Sequence, residues 1–170
     1  LEAYCSNFYH PMAEGIAIEG IRLVQQFLPR AVAKGDDLEA RTQMLVASAM
    51  GATAFQRGLG AMHAIAHSLG ALYDAHHGML NAILMPYVLQ ANRSVIEERI
   101  VRLARYLDLP QADFDGFLAW VLSLRSEVGI PNDLTALNID STQADVVGAM
   151  AARDPAAGGN PIGFSAEQYA

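Results

Sequence analysis

Several features that would place this chain in a familiar class of protein are scarce in its sequence. One cysteine, Cys5, excludes an intrachain disulfide, so we expect a packing role for it in a reducing, cytoplasmic setting. Eleven basic against eighteen acidic side chains give a net charge of −7, which argues against nucleic acid and anionic membrane surfaces as partners. The apolar stretch at 81–91 contains Pro86 and is shorter than the ~18 residues of a membrane span.

Alternating β-branched and polar residues, the pattern of half-buried strands, are also missing. Apolar residues recur instead at helical spacing, which predicts a single all-α domain. The pair Ser94 and Glu97 has the pattern of a capping box and predicts that a separate helix begins there. Phe117 and Trp120 are expected in the core.

The first predicted helix covers about 11–33 with Pro11 at its first position, and the second runs from a cap at Asp36 or Asp37 to near Gly58. A third carries His63 and His67 and ends at Gly70, and a fourth is opened by His76 and His77 and continues to 91. The last three cover about 95–108, 113–129 and 141–153.

Three acidic residues near the start of the chain, Glu2, Glu14 and Glu19, have the spacing of a helix surface. We therefore expect them to be solvated or paired with basic side chains.

Four of the five histidines fall within residues 58–78, and this cluster is the main functional signal. His63 and His67 are four apart, so on a helix their Cβ atoms would lie about 5–6 Å apart on one face. Two imidazoles placed in this way could share one metal ion. A zinc metalloprotease is excluded, because Ala64 stands where its glutamate would follow the first histidine.

His76 and His77 follow a predicted helix end at Gly70 and a turn in which Asp74 could cap the next helix. One of these two histidines could therefore face the first pair. Two or three nitrogen donors still leave the shell of zinc or iron incomplete, so further ligands must come from elsewhere.

An ordinary structural role for the histidines is the alternative, and the four-residue spacing alone favours it. The clustering of four histidines among Gly58, Gly60, Gly70 and Gly78 favours a functional site, with His76 as the expected bystander. A dinucleotide fingerprint is not supported, because neither a third glycine nor a preceding strand accompanies Gly58 and Gly60.

Three stretches resemble a known family: HPMAEGIAIEGIRLV, DLEAR and AFQRGLGAMHAIAHSLGALYDAHHGMLNAILMPYVLQANR. They are similar to the C-terminal helical domain of the iron-containing (group III) alcohol dehydrogenases. The resemblance implies that residues 1–170 form a helical, bundle-like, metal-binding domain. This domain is the C-terminal half of a two-domain fold, like that of dehydroquinate synthase and iron alcohol dehydrogenase, whose N-terminal α/β nucleotide-binding domain is absent here.

The resemblance also assigns roles to individual histidines. In the family one aspartate and three histidines bind a divalent metal, and the last two histidine ligands match His63 and His77. The histidine matching His67 lies near the nicotinamide and substrate, where it assists proton transfer. The family's aspartate and first histidine ligand match positions before Leu1, so we expect a fragment that holds half of a metal site.

The function that the resemblance implies is a metal-dependent, NAD- or NADP-linked alcohol dehydrogenase that interconverts alcohols with aldehydes or ketones. Iron is the expected metal and zinc the alternative. Its expected partners are a small alcohol or aldehyde and the missing N-terminal domain. Whether it also forms a homo-oligomer is left open. The fragment alone is expected to be inactive. Two other hypotheses are a stand-alone helical association domain and a small histidine-based metal-binding protein.

Overall fold

The computed structural model describes residues 1–170 and contains helices only, which confirms the predicted all-α class. Short 3₁₀ turns at Phe55–Arg57, Leu134–Leu137, Ser141–Gln143 and Pro155–Gly159 connect some of the α-helices. None of the helices has the length and apolar character needed to cross a bilayer. The α-helices are α1 (Glu2–Cys5), α2 (Pro11–Ala33), α3 (Leu38–Ala54), α4 (Ala61–Tyr73), α5 (His77–Tyr106), α6 (Phe114–Glu127), α7 (Ala144–Ala151) and α8 (Ala166–Tyr169).

Helices α2 and α3 form an antiparallel hairpin that packs through small residues. A Cβ atom at Gly20 would lie only 3.5 Å from the Cβ atom of Met50, which shows how closely the two helices approach. Of the two predicted caps, Asp36 and Asp37, it is Asp37 that begins α3, because its carboxylate accepts the Ala40 N–H at 3.0 Å. The helix ends at Ala54 rather than near Gly58, since a 3₁₀ turn follows and leads to Gly58 with a φ of 101°.

The predicted separate helix over 95–108 is wrong, because α5 runs without interruption from His77 to Tyr106. Ser94 lies inside this helix and caps nothing. The apolar side chains of Leu89, Ile96 and Ile100 are buried along one face of α5, so burial of a continuous stripe outweighs the local capping pattern.

The largest buried cluster joins α1, α2, α5 and α6 and contains Phe117, with Trp120 packed against it, as predicted. Cys5 is buried in the same cluster, and burial raises the pKa of its thiol to about 11. A thiol in this state is a packing group, in agreement with the sequence expectation. A second cluster, which includes Met62, Leu80 and Val147, holds α4 against α5 and α7.

Glu14 and Glu19 are paired, which is one of the two predicted states. Glu19 binds Arg22 and accepts the Tyr106 hydroxyl at 2.8 Å. Glu14 pairs with Arg57, whose side chain is only 2% exposed, and with Arg99 at 3.1 Å. Burial alone would raise the pKa of Glu14, but its hydrogen bonds with the two arginines outweigh burial and lower it.

Candidate metal centre

The N-terminus of α4 is capped by side chains that are distant in the sequence. Gly60 is its N-cap residue and has no side chain to accept a hydrogen bond. Asn160 Oδ1 accepts the Ala61 N–H at 3.1 Å, and Glu2 Oε1 accepts the Met62 N–H at 2.7 Å. The helix that carries His63 therefore begins at a position fixed by residues from α1 and from the segment after α7.

Asn160 is held in turn by Asn92 of α5, and both side chains are buried. Each amide donates to the other, at 3.1 Å from Asn92 Nδ2 and 2.9 Å from Asn160 Nδ2, and Asn160 also donates to the Ile162 carbonyl at 2.8 Å. A pair of buried amides satisfied in this way fixes the start of α4 against α5.

Replacement of Asn160 by Ala is expected to lower the free energy of unfolding by at least about 2 kcal/mol, because the Ala61 N–H and Asn92 Oδ1 lose their partners inside the protein. The melting temperature should fall by roughly 4–8 °C in a thermal melt followed by circular dichroism. Gln90→Ala, at an exposed position of α5, is the matched control. Equal melting of the two variants would contradict this account of the amide pair.

Three predicted site residues, His63, His67 and His77, lie together at the junction of α4 and α5. The ring centroids are 5.9 Å apart for His63 and His67, 5.2 Å for His63 and His77, and 5.4 Å for His67 and His77. His63 and His67 share one face of α4, as their spacing predicts, and His77 is the first residue of α5. His63 is buried, whereas His67 and His77 are exposed.

The turn that brings His77 to the cluster differs from the sequence prediction. Helix α4 continues past Gly70 to Tyr73 and ends at Asp74, which has a left-handed φ of 51°. Asp74 thus ends α4 instead of capping α5. His76 is the N-cap residue of α5, and its Nδ1 accepts the Met79 N–H at 3.3 Å. The residue expected to be a bystander therefore has a structural role.

Glu2 contacts His63, a contact that the sequence analysis did not predict. Its Oε2 lies 2.5 Å from His63 Nδ1, and the two side chains are 8% and 10% exposed. On the other edge of the ring, Asn81 Nδ2 is 3.4 Å from His63 Nε2 and 2.9 Å from His77 Nε2. The Nε2 atoms of the two rings therefore approach the same point.

Asp154 contacts His67 in a similar way. Its Oδ2 lies 3.0 Å from His67 Nδ1, while its Oδ1 accepts the Ala156 N–H at 2.7 Å and begins the 3₁₀ turn at Pro155–Gly159. The His67 side chain is 44% exposed, so its ring is held at one nitrogen and is open to small molecules. The sequence analysis named no site residue in this segment and missed Asp154.

The sequence pattern of the Fe-containing alcohol dehydrogenase family, C-terminal region, matches residues 1–170. The chain belongs to this family. It is 35% identical to a 4-hydroxybutyrate dehydrogenase of Cupriavidus necator over 178 residues, which is 99% of this chain and 46% of the relative. It is 38% identical to an NAD-dependent methanol dehydrogenase of Bacillus methanolicus over 108 residues, which is 63% of this chain and 28% of the relative.

A crystal structure of a 1,3-propanediol oxidoreductase matches this chain with a TM-score of 0.93 and 32% identity, over 99% of this chain and 46% of that one. The chain therefore spans about half the length of the relatives that it matches from end to end. Its fold is that of the C-terminal half of the iron-type dehydrogenases, as the resemblance implied.

The iron that gives the family its name can be compared with the donor atoms that this chain offers. Burial, and after it the neighbouring His63 and His67, lower the pKa of His77, which favours the neutral ring that binds metals. Asn81 Oδ1, on the amide whose nitrogen contacts the two Nε2 atoms, is buried without a hydrogen-bond partner. No group of three or more histidine, cysteine or acidic side chains is arranged to hold a metal. The chain thus offers donors that suit iron or zinc, but only part of a shell.

Proposed function

We propose that this chain is the metal-binding helical half of an NAD- or NADP-linked alcohol dehydrogenase. The observation that carries the proposal is the convergence of the His63, His67 and His77 rings in a chain of this family. The relatives are about twice as long, which supports an intact protein with an N-terminal α/β domain for the nucleotide. The proposal includes a reducing, cytoplasmic setting, for which the single free Cys5 is the support.

His63 and His77 would provide two nitrogen ligands to a divalent metal, iron by family and zinc as the alternative. Their Nε2 atoms approach one point, and the remaining ligands would come from outside these 170 residues. When bound, the metal supplies Lewis-acid polarisation of the alcohol or carbonyl oxygen.

His67 would move the proton of the alcohol. Oxidation of a primary or secondary alcohol transfers a hydride from carbon to NAD⁺ or NADP⁺ and releases the hydroxyl proton, which yields an aldehyde or ketone. An exposed imidazole held at Nδ1 by Asp154 presents its other nitrogen for that proton. Asp154 orients the ring in the way that the third member of a catalytic triad orients its histidine.

Catalysis by the full-length protein, expressed from its complete reading frame and loaded with Fe²⁺ or Zn²⁺, tests the proposal. Reduction of NAD⁺ or NADP⁺ at 340 nm is expected with methanol, 1,3-propanediol or 4-hydroxybutyrate. The 170-residue chain loaded in the same way is expected to be inactive, because it lacks the nucleotide domain.

A reading frame that starts at Leu1 would instead favour the stand-alone helical association domain. Stoichiometric, tight metal binding by the 170-residue chain alone would favour the small metal-binding protein. No three of the histidine, cysteine and acidic side chains are arranged to hold a metal, which counts against that second alternative.

A further inference from the structure

We propose that Glu2 is a positioning residue, which fixes the tautomer of His63 so that the Nε2 lone pair faces the metal position. The metal part of this inference rests on the proposed function. The tautomer part does not, because it follows from contacts within the chain.

The first step of the argument is that Glu2 can only accept hydrogen bonds from its neighbours. Its Oε1 receives the backbone N–H groups of Met62 at 2.7 Å and His63 at 3.4 Å, and its Oε2 faces His63 Nδ1 at 2.5 Å. An ionised carboxylate has no proton to give, so a hydrogen bond between Oε2 and Nδ1 requires the hydrogen to be on Nδ1. A neutral ring with a proton on Nδ1 has its lone pair on Nε2.

The second step is that the lone pair of His63 Nε2 faces the side-chain amide of Asn81, at the position where the metal is proposed to bind. Asn81 Nδ2 lies 3.4 Å from His63 Nε2, as a donor does beside an acceptor nitrogen, and the same amide nitrogen contacts His77 Nε2. Histidine ligands of metals commonly donate their second N–H to a carboxylate, which fixes the ring and raises its basicity. Glu2 is placed to do this for His63.

Burial makes the contact a strict constraint on the ring. The side chains of Glu2 and His63 are 8% and 10% exposed, so water does not readily replace either partner. The edge of the Phe55 ring packs against His63 with ring centroids 5.6 Å apart and further limits rotation. The His67–Asp154 pair lies in a more exposed position and does not have this constraint.

Glu2→Gln separates the positioning role from capping of α4. The Gln carbonyl oxygen can still accept the Met62 N–H, because turning the amide would bring its NH₂ group against backbone donors. The NH₂ group must then face His63 Nδ1 and favours the tautomer with the proton on Nε2. That proton blocks the nitrogen proposed to bind metal, although the helix remains capped.

Two measurements test this, one on the 170-residue chain and one on the full-length protein. In the metal-free 170-residue chain, ¹⁵N NMR should show the His63 proton on Nδ1 in the wild type and on Nε2 in Glu2→Gln. Titration of the full-length protein with Co²⁺ should show affinity about 10–100-fold weaker in Glu2→Gln than in the wild type. Glu97→Gln, an exposed substitution on α5, should match the wild type in both measurements.

Glu2→Asp keeps the carboxylate and should keep the proton on Nδ1, which gives a second variant if Glu2→Gln fails to fold. The proposal is overturned if His63 has the same tautomer in the wild type and Glu2→Gln, or if their Co²⁺ affinities agree within twofold. A tautomer that shifts as expected, together with a full-length protein that binds no Co²⁺ measurably, would refute the metal role and the proposed function, while Glu2 would still set the state of the ring.

Discussion

Replacement of His63 or His77 by Ala in the full-length protein is expected to remove bound metal and alcohol oxidation together, whereas His67→Ala should keep the metal and lose turnover. Loss of the metal removes several kcal/mol of transition-state stabilisation by a Lewis acid, which should lower kcat by about 10³-fold or more. Loss of a general acid–base group should lower kcat by about 10²–10⁴-fold. Metal content by mass spectrometry and kcat from the absorbance at 340 nm separate the two effects.

His76→Ala is the matched control for these three substitutions. His76 is exposed and caps α5, so its loss should cost about 1 kcal/mol of stability and leave metal content and kcat near those of the wild type. Equal loss of metal in His63→Ala, His67→Ala and His77→Ala would contradict the division of roles. It would favour the hypothesis based on the four-residue spacing alone, in which His67 is itself a metal ligand.

The helical class and most helix positions could be predicted because the burial pattern of a helix is local. Pro11 and Asp37 mark the starts of α2 and α3 in the sequence and in the structure. The prediction at Ser94 failed because packing between distant parts of the chain outweighs a local pattern. A capping box is also a local signal, but its contribution is small beside the apolar stripe of α5 that α1, α2 and α6 bury.

The residues of the candidate site likewise fall into two groups, those that local sequence patterns predict and those that only the fold brings to the site. His63 and His67 could be paired from their spacing, and the turn before α5 made His77 a neighbour in principle. Glu2 and Asp154 are 61 and 87 positions from the histidines that they contact, so no local pattern points to them. Their contribution depends on how α1 and the segment after α7 pack against α4, which only the folded chain determines.

Replacement of Glu14 by Ala is expected to lower the free energy of unfolding by about 3–5 kcal/mol. Arg57 is 2% exposed, and without Glu14 its guanidinium keeps only the Ser6 carbonyl, at 3.1 Å, inside the protein. In thermal melts of the 170-residue chain the midpoint should fall by roughly 6–20 °C. Glu19→Ala, on the same helix but in a pair with Arg22 whose side chains are 37% and 31% exposed, should cost no more than about 1 kcal/mol.

The sign of the pH dependence provides an independent check on Glu14. Its pKa is lowered on folding, so the folded chain binds fewer protons there than the unfolded chain does. The stabilisation should be complete above the unfolded pKa of about 4.3 and decline as the pH falls through the lower folded value. The difference in the free energy of unfolding between the wild type and Glu14→Ala should therefore be largest at neutral pH and smaller in acid. A difference that is constant across this range would show that packing, rather than charge, accounts for the loss.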